Sequence, residues 1–258
     1  MAQTAPPTPA VPSGKWNVGY QPDHCYVARQ YGEGGDAYTV GIKPVTWGKV
    51  ADVLVVRPSD GADYRLGKGS VMLDHGERIA GRVRSWQTAD GGSRIVALEV
   101  PRDKIAAIAG ATTLDIDADG QRTIVAQKGG AAVAAALAAC EKKLTDEIDA
   151  LTTSRDSLHP DPKSRAYGAP ESEWITPLDY PAEAARSRWQ GVTSVRWVVD
   201  ADGRVRRCWI TGRSDNPGLD DLVCKLVKDR ASYRSMLTAD GKPASFVAGR
   251  IVTWSVEN

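Results

Sequence analysis

Residues 191–212 read GVTSVRWVVDADGRVRRCWITG, and this stretch decides the fold of the C-terminal part of the chain. Two runs of alternating apolar and polar residues flank the tetrapeptide Asp200–Gly203. Such alternation is typical of strands, and Asp-Gly tolerates the positive φ angles of tight turns. The sequence therefore predicts a β-hairpin whose strands are Val192–Val199 and Arg204–Thr211.

Helix and strand signals flank this hairpin on both sides. Upstream, Pro181 suits a first helical turn and predicts a short helix over Ala182–Arg188. Downstream, Asn216 can cap a helix whose first residue is Pro217. A final strand is predicted over Phe246–Val256, so the predicted order is helix, strand, strand, helix, strand.

The N-terminal half is predicted to be a mostly antiparallel β domain. Asp-Gly recurs there beside alternating or β-branched runs, which read as hairpins. The strand candidates are Tyr38–Ile42, Val50–Arg57, Ile79–Trp86, Ser93–Val100, Thr113–Ile116 and Thr123–Ala126.

A helix over residues 130–151 is predicted to close this domain, because apolar residues repeat there at intervals of three and four. Periodicity then disappears, and residues 152–173 are rich in Ser, Pro and charge, as in a linker. We therefore predict an α+β protein with a disordered tail over 1–13, a β-rich domain with a terminal helix over 14–151, and a small domain over 174–258.

Composition describes a folded protein without the charge of a polyanion-binding chain. Hydrophobic residues are 42% and charged residues 25% of the 258 residues, values typical of globular proteins. The 33 Lys and Arg nearly balance the 32 Asp and Glu, so nucleic acid is not expected as a partner. No stretch approaches the roughly 18 apolar residues that cross a bilayer, so no membrane span is expected in this chain.

The N-terminal sequence MAQTAPPTPAVPSG indicates an exported protein. Ala2, Gln3 and Thr4 form a common kind of start after signal-peptide cleavage, with Met1 added in cloning. The alternative is an ordinary disordered Pro/Ala tail.

Four cysteines are compatible with two disulfides, because they include no C-x-x-C pair and no nearby His cluster. Of the three possible connectivities we favour Cys25 with Cys140 and Cys208 with Cys224, since each pair then lies within one predicted domain. Four buried free thiols are the alternative.

Four motifs follow one another in the second half: YPAEAAR at 180–186, GVTSV at 191–195, VVDADGRV at 198–205 and SDNPGLD at 214–220. In this order they resemble the C-terminal domain of TonB, the energy transducer of the Gram-negative envelope. The resemblance covers residues 174–258, and a family variant with cysteines at positions 208 and 224 supports pairing them.

The resemblance implies a three-stranded antiparallel sheet with two helices on one face. It also implies a site for the short N-terminal box of outer-membrane receptors, which adds as a strand beside the last strand of the sheet. An exposed edge has unpaired N–H and C=O groups that an extended peptide satisfies. The implied partner-binding residues are Asp179, Tyr180, Pro181, Val247, Gly249, Arg250, Ile251, Val252, Thr253 and Trp254.

The leading hypothesis is therefore a non-enzymatic periplasmic protein, monomeric or homodimeric, that binds an outer-membrane TonB-dependent receptor or another envelope protein, with a role in TonB-dependent transport. One alternative is a periplasmic enzyme whose site lies around His24, Asp74 and His75, with the TonB-like domain as a localisation module. Another is a scaffold whose edge is occupied by its own linker or by a second copy.

No cofactor or metal is expected. The run from Asp115 to Gly120 imitates the opening of an EF-hand calcium loop, but Ala126 stands where a bidentate Glu is required.

Overall fold

The computed structural model describes residues 8–21, 23–61, 64–88, 90–158, 173–186, 188–214, 216–234 and 236–255. The protein is α+β and divides into two units, Met1–Cys140 and Glu141–Asn258. None of the helices in the described part of the chain is long and apolar enough to cross a membrane.

The first unit contains a nine-stranded antiparallel sheet. Its strand order is β1-β2-β3-β4-β7-β6-β5-β8-β9, and a short helix, α1 (Ile105–Gly110), precedes β8. The strands are β1 (Asn17–Tyr20), β2 (Cys25–Tyr31), β3 (Tyr38–Pro44), β4 (Val50–Pro58), β5 (Arg65–Leu73), β6 (Arg78–Gln87), β7 (Ser93–Pro101), β8 (Thr113–Ala118) and β9 (Gln121–Ala126).

The sheet is curled, and the chain before β1 contacts strands near both of its ends. Ala10 forms a parallel bridge with Val125 of β9, and Pro12 forms an antiparallel bridge with Tyr31 of β2. These two residues belong to the predicted tail, whose residues 1–7 lie outside the described part of the chain.

Helix α2 (Gly130–Ala150) follows the sheet and crosses the boundary between the two units. In the first unit its Val133 and Leu137 are buried, and Cys140 forms a disulfide with Cys25 at the start of β2. The pairing is the one favoured from the sequence.

The second unit has a three-stranded antiparallel sheet in the order β11-β10-β14. Its elements are α3 (Ala182–Arg186), β10 (Gly191–Val199), β11 (Val205–Gly212), α4 (Pro217–Arg230), the short strands β12 (Met236–Leu237) and β13 (Pro243–Ala244), and β14 (Phe246–Trp254). The predicted hairpin, the two helices and the final strand are all present, so the fold prediction is confirmed; the predicted end of that strand, Val256, lies outside the described part of the chain.

One face of this sheet packs against both helices. Ala184 of α3 and Leu219, Val223 and Val227 of α4 join a buried cluster with the strand residues Val195, Trp197, Val199, Cys208, Val252 and Trp254. Cys208 and Cys224 form the second disulfide, which ties β11 to α4. Arg207, the residue before Cys208 on β11, pairs with Glu147 of α2 over 3.4 Å.

The first residues of the predicted linker pair with the second unit. Thr153 N donates to the Ser245 carbonyl over 3.0 Å, and Leu158 forms a bridge with Thr238. Residues 159–172 of that linker lie outside the described part of the chain.

Candidate functional site

Strand β14 is an edge strand. In the part of the chain that the structure describes, β14 pairs only with β10, in a register that runs from Gly191 opposite Trp254 to Val199 opposite Phe246. An edge strand has a row of backbone N–H and C=O groups without ladder partners.

The close approach at Gly249 identifies the outward-facing backbone groups. A Cβ on Gly249 would lie 2.8 Å from the carbonyl oxygen of Val195, so this carbonyl points towards β14. Val195 and Arg250 are opposite each other, and hydrogen-bonded pairs alternate along an antiparallel ladder. The N–H and C=O groups of Gly249, Ile251 and Thr253 therefore point away from β10, to the open edge.

The side chains of β14 divide between two environments. Val252 and Trp254 belong to the core, with 7% and 4% of their surface exposed. Ile251, on the opposite face, is 67% exposed, which leaves a branched apolar side chain in solvent beside the open edge.

A cleft of about 470 Å³ lies along this end of β14. One wall is formed by Arg250–Ser255, and the other by Ile175, Thr176, Pro177 and Tyr180. Its volume lies in the range of ligand-binding pockets.

The turn that forms the second wall is held by Asp179. Thr176 N and Thr176 Oγ1 donate to Asp179 Oδ2 over 2.8 and 2.9 Å. Arg230 of α4 adds a bidentate pair, with Nη1 and Nη2 donating to Oδ2 and Oδ1 over 2.8 and 2.7 Å. The Arg230 guanidinium is the main reason that the pKa of Asp179 falls from an ordinary 3.8 to about 2.

Two aromatic rings join the two walls. The rings of Tyr180 and Trp254 stack with centroids 5.9 Å apart. The Tyr180 hydroxyl donates to the carbonyl of Trp189, just after α3. The Tyr180 ring is therefore held by stacking on Trp254 and by a hydrogen bond at its hydroxyl.

Six of the predicted partner-binding residues line the cleft: Tyr180, Arg250, Ile251, Val252, Thr253 and Trp254. Val247 and Gly249 lie further along β14, Pro181 precedes α3, and the Asp179 carboxylate contacts Thr176 and Arg230. The sequence prediction omitted Ile175, Thr176 and Pro177, although their position just before the Tyr-Pro motif was the available signal.

The residues considered for an enzymatic site lie in two separate turns. His24 contacts Asp23 over 2.8 Å between β1 and β2. His75, between β5 and β6, contacts Asp74 and Glu77 over 3.3 and 3.2 Å. These contacts, within each turn, involve no serine or cysteine nucleophile.

The run that imitates a calcium loop forms β8 and the turn to β9, and two of its acidic residues pair with arginines. Asp115 pairs with Arg122 over 2.6 Å, and Asp119 pairs with Arg94 over 3.0 Å. Within the described ranges, no group of three or more His, Cys, Asp or Glu side chains is placed to hold a metal ion.

The fold and the cleft define a small domain in which two helices cover one face of a three-stranded sheet and the last strand has an open edge. Residues 176–255 match the family model described as Gram-negative bacterial TonB protein C-terminal. This segment is therefore a TonB C-terminal domain. No curated protein and no solved structure matched the chain.

Proposed function

We propose that this protein binds a partner peptide in the bacterial envelope by adding it as a strand to the open edge of β14. Residues 174–258 act as the binding domain, and the nine-stranded sheet of the first unit belongs to a separate β domain. The TonB C-terminal match and the two disulfides support a periplasmic location, since disulfides persist in oxidising compartments.

One observation carries the proposal: backbone groups of Gly249, Ile251 and Thr253 face outward beside the cleft. A peptide that pairs with them would gain ladder hydrogen bonds, while its alternate side chains would enter the cleft. The half-buried Tyr180 ring, stacked on the buried Trp254 indole, gives these side chains a rigid aromatic surface.

The partner that fits best is the N-terminal box of an outer-membrane TonB-dependent receptor, and the process is TonB-dependent transport. Residues 174–258 carry 13 Lys and Arg against 10 Asp and Glu, a local charge of +3 that favours an acidic partner segment.

Replacing Ile251 with Pro tests the mode of binding. Ile251→Pro removes an outward-facing N–H and leaves the ladder to β10 in place, because Pro is tolerated on edge strands at such positions. We expect its affinity for a synthetic receptor-box peptide to fall at least tenfold, because the peptide loses one hydrogen bond to β14 and its fixed alignment along the strand. Isothermal titration calorimetry on the full chain measures the change.

Ile251→Ala is the matched control, since it removes the exposed side chain and keeps the N–H. Because the Ile251 side chain lines the cleft, the comparison between the two variants isolates the N–H, and we expect Ile251→Pro to bind about tenfold more weakly than Ile251→Ala. Equal affinities for the Pro and Ala variants, with both folded by circular dichroism, would show that the edge of β14 does not bind the peptide.

A further inference from the structure

A chain of buried hydrogen bonds runs from α4 to the wall of the cleft. Thr193 Oγ1 donates to Asp220 Oδ1 over 2.8 Å, and Trp254 Nε1 donates to Thr193 Oγ1 over 3.2 Å. All three residues are buried: Thr193 is 0% exposed, Asp220 5% and Trp254 4%. The direction of each bond is fixed, because an indole N–H only donates and an ionised carboxylate only accepts.

The Asp220 carboxylate is placed at the start of α4, where the helix dipole favours a negative charge. Ser214 N also donates to Asp220 Oδ1, over 2.9 Å. Burial raises the pKa of Asp220, and the donors Ser214 and Thr193 offset part of the desolvation that disfavours its charged form.

The contacts of Asp220 Oδ1 lie outside its own helix. Asn216 is the residue that caps α4, since its side chain accepts from Leu219 N over 3.2 Å. Asp220 instead joins α4 to Thr193 of β10 and to Ser214 in the loop after β11. A residue needed only to cap the helix would not require these contacts.

The backbone is shaped to bring these groups together. Gly191 lies opposite Trp254 in the ladder, and a Cβ on Gly191 would lie 2.1 Å from the carbonyl oxygen of Ser214. Glycine at position 191 therefore lets the Ser214 loop lie close against β10, and Ser214 N and Thr193 of β10 donate to the same Asp220 oxygen.

We infer that Asp220 is a positioning residue for the cleft, acting through Thr193 to hold the Trp254 indole against Tyr180. The inference rests on the proposed peptide-binding function, because it assigns Asp220 a part in shaping the surface that the peptide contacts. Without the hydrogen bond from its Nε1, the indole is held only by packing, and the wall that it forms with Tyr180 loses its fixed geometry.

Thr193→Val tests the inference, because it keeps the shape of the side chain and removes both hydrogen bonds. In the full chain without peptide, we expect the Trp254 indole N–H to exchange faster with solvent and its nuclear Overhauser contacts to Tyr180 to weaken. Thr193→Ser restores the hydroxyl and should restore both signals. Affinity for the receptor-box peptide should fall about threefold to tenfold in Thr193→Val and recover in Thr193→Ser.

Two further variants separate positioning from general loss of stability. Asn216→Ala removes the cap of α4 and should lower stability while leaving the indole signal and the affinity unchanged. Asp220→Asn keeps an acceptor and loses the charge, so it should give a smaller change of the same kind, and it decides the matter if Thr193→Val does not fold.

The inference is overturned if the indole exchange and the Tyr180 contacts are unchanged in a folded Thr193→Val or Asp220→Asn variant. It is also overturned if Asn216→Ala changes them equally. Absence of peptide binding by the unaltered protein would instead refute the proposed function, and the indole signals would still decide whether Asp220 positions Trp254.

Discussion

Asp179 is one of the implied partner-binding residues, and its carboxylate is engaged within the domain. It bonds to the backbone and hydroxyl of Thr176 and to Arg230, so it fixes the turn that forms one wall of the cleft. The residue contributes to the cleft through the shape of this turn, and its own side chain is not part of the lining.

This ion pair makes the stability of the second unit depend on pH. The pKa of Asp179 is about 2 in the folded protein against an ordinary 3.8, so the ionised carboxylate stabilises the fold above about pH 4. That contribution is lost as the pH falls through about 2. We expect Arg230→Gln to unfold at a lower temperature than the unaltered protein at neutral pH, and the difference to shrink as the pH falls towards 2.

Lys228→Gln is the matched control, because Lys228 also lies in the last turn of α4 and is exposed. It removes the same charge from the same helix end without touching Asp179. A similar loss of melting temperature in both variants, constant with pH, would mean that the Asp179 pair does not stabilise the turn.

At the scale of the element, the approach of the Ser214 loop to β10 depends on one glycine. Gly191→Ala would place a Cβ 2.1 Å from the Ser214 carbonyl oxygen, a backbone atom that can move only with its loop. We expect the free energy of unfolding to fall by about 1–3 kcal/mol, as for other overpacked sites. Urea denaturation followed by circular dichroism measures it.

Gly212→Ala serves as the comparison within the same sheet. The nearest atoms to its new Cβ are Ser194 Oγ at 3.0 Å and Ser194 Cβ at 3.1 Å, which need to shift far less than the Ser214 backbone, so a smaller loss is expected. Equal losses at the two positions would indicate that strand propensity, and not the close approach at Gly191, sets the effect.

The elements found from the sequence are those with strong alternation or clear caps. The hairpin of β10 and β11 and the capped helix α4 follow from such local signals. Strands β1, β2 and β5 were not predicted. β1 and the first four residues of β5 are largely exposed and carry no apolar alternation, and Arg29 interrupts the alternation of buried residues in β2. Helix α1 has only six residues, too few to show a helical period.

The lining of the candidate cleft follows from the sequence only in part, for a similar reason. The edge residues of β14 and Tyr180 follow from the order of the family motifs. The bonds of Asp179 to Arg230 and of Trp254 to Thr193 join residues far apart in the chain, so no local pattern reports them.

At the scale of the whole molecule, each unit has its own disulfide. Cys25–Cys140 closes a separation of 115 residues in the first unit, and Cys208–Cys224 closes one of 16 in the second. The loop-entropy model assigns about 5 kcal/mol to the longer closure and about 3 kcal/mol to the shorter one.

This arrangement predicts that the two disulfides stabilise different parts of the chain. In a Cys25→Ala, Cys140→Ala double variant, hydrogen exchange should accelerate in β2 and the first half of α2, because the tether between them is lost. In a Cys208→Ala, Cys224→Ala double variant, it should accelerate in β11 and α4. Hydrogen exchange with mass spectrometry resolves these segments.

Peptide affinity completes the comparison, because the proposed site lies only in the second unit. The loss of Cys208–Cys224 loosens α4, which carries both Asp220 and Arg230, so it should weaken binding of the receptor-box peptide. Loss of Cys25–Cys140 should leave the affinity unchanged. If it weakens binding to the same degree, the first unit takes part in recognition, and the second unit alone does not account for the site.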